Sequence, residues 1–217
     1  MQLICRYIER MPKTTSCDQF MNGVTAYIRK HYKKSQLSRL AEHPEDRMTA
    51  SAVVYSRVSR EVWMIGDCQC MIGGQYYDNP KPAEAELAAM RAEEARRLMK
   101  QGVTQEELLR NDTARSVIIP HMIETMRQQN VTYSVIDGFP IDRTHVRIIT
   151  LDFQPWEIIL ASDGYPFLCS TLEESENRLR QQRKEDPLNI GPAFQATKAF
   201  HPDFSSFDDR AYIRFLV

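Results

Sequence analysis

The sequence predicts an α+β protein in which sheet stacks on sheet and helices lie outside. Three observations carry this. Short β-rich runs occupy residues 50–77 and return over 132–162 and 210–217. Helical spacing of apolar residues fills the stretches between them. The strands and helices do not alternate one for one, as a parallel βαβ sheet would require. At 217 residues the chain can bury one sizeable core, and it is read as a single domain, 1–217.

Met1, Leu3, Ile4, Tyr7, Ile8 and Met11 recur at three-four spacing, so the chain opens in an amphipathic helix that Pro12 ends. Ser16 with Gln19 forms a capping box for a second helix to about Tyr32, with Phe20, Met21, Val24 and Ile28 on its apolar face. Polar residues 33–49 read as a loop. "ASAVVYSRV", "EVWMIG", "CQCMI" and "QYY" then make an antiparallel meander, with Gly73-Gly74 as one turn.

"NPKPAEAELAAMRAEEARRLMKQG" is a long helix with prolines at its start and Gly102 at its end. Thr104 and Glu107 cap a short helix, and "ARSVIIPHMIETMRQQ" makes a third, bent or begun near Pro120. "TYSVIDG", "HVRIITLD" and "WEIILAS" read as strands. Thr171 with Glu174 opens a helix to about Arg183, 187–199 is loosely helical, and "RAYIRFLV" is a final strand.

Charged residues make up 26% and hydrophobic ones 42%, an ordinary soluble composition, and the net charge of -1 gives no general attraction to nucleic acid or anionic lipid. No apolar window approaches the roughly 18 residues of a membrane span, and no signal-peptide pattern opens the chain, so the expectation is a cytoplasmic protein without membrane or nucleic-acid partners. The 5 cysteines are scattered without zinc-site spacing and read as reduced thiols.

The chemistry concentrates in aspartates at strand ends. In "WEIILASDGYPFL" an apolar run stops at Asp163, which Gly164 follows. A carboxylate at the edge of an apolar layer is costly unless a cation or several donors hold it, and Gly164 permits either positive φ or a close approach to the backbone. The alternative is a turn Asp capping its own backbone. Asp208 and Asp209 precede the final strand, Asp67 follows Gly66 inside "EVWMIGDCQC", and Asp137 stands before Gly138 in the same form as Asp163. No histidine neighbours any of the four groups, and oxygen-only clusters suit Mg²⁺ or Mn²⁺. Paired ions of this kind activate water for attack on phosphorus.

These blocks, in this order, resemble the metal-dependent protein serine/threonine phosphatases of type 2C. "EVWMIGDCQC" is similar to the family's "V-G-D-S-R" block, "WEIILASDGYPFL" to its "L-L-A-S-D-G-L-W-D" block, and "FDDRAYIRFLV" to its closing "D-D/N-x-T-x-x-x-V" strand. The resemblance spans about Ala50 to Val217. It implies a four-layer α-β-β-α sandwich of two antiparallel sheets and a binuclear Mg²⁺ or Mn²⁺ site with Asp163 and Asp208 as ligands. Asp67, Asp137, Asp209, Gly66 and Gly164 stand as further ligand or support positions. The implied activity is hydrolysis of phosphoserine or phosphothreonine on a protein substrate.

Cys68, Tyr165-Pro166-Phe167 and Ala211 depart from the family pattern, and the family's first strands, with their "D-G-x-x-G" block, have no counterpart. The expectations are therefore a chain that begins late, weak metal binding with little turnover, and an uncovered sheet edge available to a second copy. A non-catalytic relative that binds a phosphorylated or regulatory partner is the alternative function. An N-terminal-nucleophile hydrolase ranks last, since Met1-Gln2 offers no nucleophile.

Overall fold

The computed structural model describes residues 2–217. Two antiparallel sheets lie face to face. One has the order β1 (Ala52–Ser56), β2 (Glu61–Ile65), β5 (Arg147–Thr150), and the other β4 (Gln75–Asp78), β3 (Gln69–Ile72), β6 (Glu157–Ala161), β7 (Tyr212–Leu216). The helices are α1 (Gln2–Ile8), α2 (Cys17–Arg29), α3 (Leu37–Glu42), α4 (Glu84–Lys100), α5 (Gln105–Arg110), α6 (Thr113–Arg127) and α7 (Leu172–Glu185). The α+β class with stacked antiparallel sheets and flanking helices is as the sequence predicts. No described helix is long and apolar enough to cross a membrane.

Strand alternation builds the layers. Val62 and Met64 of β2 meet Cys70, Ile72, Ile158 and Leu160 between the sheets, while Trp63 and Ile65 turn outward onto Phe20, Val24 and Ile28 of α2. On β6, Ile159 and Ala161 face the other way, against Tyr165 and Leu168. Central strands buried on both faces explain the continuous apolar runs "VWMI" and "IILA".

Four local readings change. Residues 50–77 are not one meander, because the chain crosses from sheet to sheet between β2 and β3. Gly66 makes that corner at φ +81°, where a Cβ would stand 2.2 Å from Ser51 Oγ. The predicted polar loop 33–49 contains α3, which forms because Leu40 finds a buried seat. "TYSVIDG" contributes isolated bridges, Ala50 with Ile136 and Gln129 with Tyr133, instead of a strand. There Asn130 Oδ1 and Asp137 Oδ1 accept the amides of Val135 and Phe139, taking donors a ladder would use.

Residues 187–199 are irregular instead of helical. Asp186 Oδ2 accepts from the amides of Ile190 and Gly191 at 2.9 and 2.6 Å, and Pro187 and Pro192 lack the donors a helix needs. The fully buried Arg91 of α4 fixes this loop by donating to the carbonyls of Leu188 and Ala196, and it pairs with Asp112 at 2.7 Å.

Candidate metal centre

Three carboxylates meet at one end of the second sheet. β3 pairs with β6 so that Gln69 faces Ala161, which sets Asp67, just before β3, beside Asp163, just after β6. Gln69 reinforces this by donating to the carbonyls of Ser162 and Tyr165, both at 2.8 Å. Glu84, the first residue of α4, completes the group: one ligand oxygen each from Asp67, Glu84 and Asp163 lie within 4.8 Å of one another. Such a set, oxygen-only and carboxylate-rich, fits one hard divalent cation that keeps water on its remaining positions.

The approach to β7 is sewn to the same place. Ser162 Oγ donates to the Asp209 carbonyl and accepts from the Ala211 amide, and Ser162 N donates to the Ala211 carbonyl. Gly164 is required here because a Cβ would lie 2.3 Å from the Asp209 carbonyl oxygen, so the close approach is protein backbone and not a ligand. The seam brings Asp208 to the wall of a cleft of about 410 Å³ that Asp67, Glu84 and Asp163 also line. Asp208 Oδ2 is taken by Lys198 Nζ at 2.7 Å, so it stands beside the converging three instead of among them.

The electrostatics separate the members. Enclosure, followed by the negative charge of Asp67 and Asp208, pushes the Asp163 carboxyl up to about 7, although the residue still meets solvent. Burial also raises Asp67, but Lys81 and Ser51 outweigh it and hold that carboxyl below the usual range. Burial lowers Lys81, and its contact with Asp67 more than compensates, leaving it at about 12. Glu84 is raised by burial and by Asp67 and Asp208, against the pull of Lys81. Cys68, beside Asp67, is pushed up to about 12 by burial and stays an inert thiol, and all five cysteines are free.

Of the other positions singled out in the sequence, Gly66 makes the corner that delivers Asp67, and Asp209 contributes its carbonyl to the seam with its own residue exposed. Asp137 does not line the cleft. Its side chain is fully buried, with Oδ2 accepting from Arg47 at 3.0 Å and Gln129 at 3.3 Å, so its carboxylate is a structural one. Glu84, Lys81 and Lys198 were not legible as site residues. The first two lie in "NPKPAE", which reads as a helix start, and Lys198 lies in a loop whose position depends on Arg91.

Comparison of the chain with protein families, curated proteins and solved structures gave no match.

Proposed function

We propose that the protein is a metal-dependent phosphomonoesterase acting on phosphoserine or phosphothreonine, with one Mg²⁺ or Mn²⁺ held by Asp67, Glu84 and Asp163. The convergence of those three carboxylates within 4.8 Å carries this reading. Asp163 is raised by burial and then by the charges of Asp67 and Asp208, and a divalent ion would favour its ionised form against both. The serine/threonine specificity comes from the motif resemblance.

When bound, the ion would supply an activated water and offset charge on the phosphoryl oxygens. The chain's own residues do the rest. Lys81 keeps Asp67 ionised, the β6–β7 seam holds Asp163 in place, and Lys198 brings positive charge to the wall an anionic substrate must pass. A groove of about 710 Å³ continues from Asp208 past Phe204 and Tyr212 and offers room for a substrate beside the carboxylates. The donor set favours one ion over the pair that the resemblance implies, since Asp208 is paired with Lys198.

A second reading has its own support. Lys81 and Lys198 already neutralise Asp67 and Asp208 from within, as in a non-catalytic module that binds a partner without metal. Hydrolysis of an aryl phosphate and of a phosphothreonine peptide, with and without Mn²⁺, separates the two. Slow Mn²⁺-dependent turnover that disappears in Asp163→Ala is the expected result. Mn²⁺-independent behaviour of wild type, with no turnover, favours the non-catalytic module.

A further inference from the structure

Beside the carboxylates, a cavity of about 260 Å³ runs under α4 and α6, and Arg115 lines it together with Lys198 and Asp163. We infer that Arg115 binds the phosphoryl dianion of the ligand in this cavity. The choice of a phosphoryl ligand rests on the phosphomonoesterase reading, and the assignment of an anion to Arg115 rests on the following geometry.

Lys81 and Lys198 are each paired with a carboxylate, whereas the half-buried Arg115 side chain makes no hydrogen bond or ion pair among the described residues. It lies in the first turn of α6, where the helix dipole disfavours a cation, and its charge acts against that of buried Arg91. A guanidinium that lines the cavity without a paired carboxylate is open to an anion from outside. Its planar fork suits two phosphoryl oxygens at once.

Charge and size narrow the ligand. Lys81, Arg115 and Lys198 line the cavity against Glu84, Asp163 and Asp208, so the wall is balanced by itself. With Asp67, the ion's third ligand, counted in, a divalent ion leaves one positive charge in surplus, which favours an anionic ligand. The cavity, at about 260 Å³ below the roughly 300–1,000 Å³ typical of drug-sized ligands, suits a phosphoryl group on a short side chain. Leu87, Met122 and Met126 form its apolar wall, suited to the carbon stem of such a side chain.

Inorganic phosphate and phosphoserine are titrated calorimetrically into the full chain, with and without Mn²⁺, for wild type, Arg115→Ala and Arg115→Lys, with thermal melts of each. Both ligands bind wild type, and Arg115→Ala weakens both by about tenfold or more while Mn²⁺ affinity holds. Arg115→Lys recovers only part, because an ammonium cannot make the two-pronged contact. Weakening for inorganic phosphate alone supports the anion site with free phosphate as its ligand. If Arg115→Ala does not fold, Arg115→Lys and Arg115→Gln carry the comparison.

Wild type that binds neither ligand, or variants that bind as wild type does, would overturn the inference. Loss of phosphate binding in the variants without any Mn²⁺-dependent hydrolysis by wild type would uphold Arg115 and reject the enzyme. Hydrolysis with KM unchanged in Arg115→Ala would do the reverse.

Discussion

Asp137 and Asp163 are written alike in the sequence, each closing an apolar run and each followed by glycine, yet one is sealed inside the protein and the other opens on a cleft. The difference lies in what surrounds them. Asp137 is enclosed by donors: Arg47, which also stacks 3.7 Å from the Phe139 ring centre, Gln129, and the Phe139 amide. Burial raises its pKa against those donors. Asp163 accepts no hydrogen bond among the described residues, and beside it stand the carboxylates of Asp67, Glu84 and Asp208, which the more distant charge of Lys81 only partly offsets. A carboxylate with its donors supplied belongs to the fold, whereas one surrounded by negative charge needs a cation from outside.

Removing each partner set should therefore have opposite results. Asp137→Ala leaves the buried Arg47 guanidinium without its counter-charge and should lower stability by about 3–5 kcal/mol, read from urea unfolding. Asp163→Ala should leave the urea midpoint unchanged or raise it. Comparable losses in the two variants would erase the distinction between them.

Gly164→Ala sharpens the contrast at the seam. Its Cβ would press on the Asp209 carbonyl, and since a backbone atom must yield, a loss of about 1–3 kcal/mol is expected together with weaker Mn²⁺ binding. Gly74→Ala supplies the converse case, strain without a clash: its φ is +84°, unlike that of Gly164, and its Cβ would meet nothing, so metal binding should be untouched.

Lys81→Met converts Asp67 toward the condition of Asp163. Without metal the buried carboxylate keeps Ser51 and loses its cation, at a cost of about 1–3 kcal/mol. Mn²⁺ should then raise the melting temperature of Lys81→Met more than that of wild type. An equal Mn²⁺ shift in both proteins would show that Lys81 does not compete with the ion.

The smallest effect is on pH dependence. Because Asp163 has a folded pKa near 7 against an ordinary value of 3.8, the native state holds more protons than the unfolded state between those values, and stability falls as pH rises through that window. Asp163→Asn lacks this loss. Its melting temperature should match that of wild type at pH 4 and exceed it by pH 8, and saturating Mn²⁺ should close the gap. A pH-independent difference would assign the effect to packing.

The two aspartates also show what the sequence could carry. The stacked sheets, most helix caps and the strand-end positions of Asp163 and Asp208 are local properties, set by alternation, capping boxes and the switch from apolar to acidic residues. Whether a strand-end aspartate is filled or empty depends on residues far along the chain: Arg47 reaches Asp137 across 90 positions, while Lys81 pairs with Asp67 and Glu84 meets Asp163 from the start of another element. For the same reason "TYSVIDG" looked like a strand, since nothing within it shows that Asn130 and Asp137 would take its amides. Lys198 reaches the cleft only because Arg91, Asp112 and Asp186 hold its loop, a network with no local pattern.

Mn²⁺ titration of the full chain, compared among wild type, Asp163→Ala and Asp208→Ala, bears most directly on the central claim. One ion per chain in wild type, lost in Asp163→Ala and retained in Asp208→Ala, is the predicted result. No binding in wild type, or binding that survives Asp163→Ala, would contradict it.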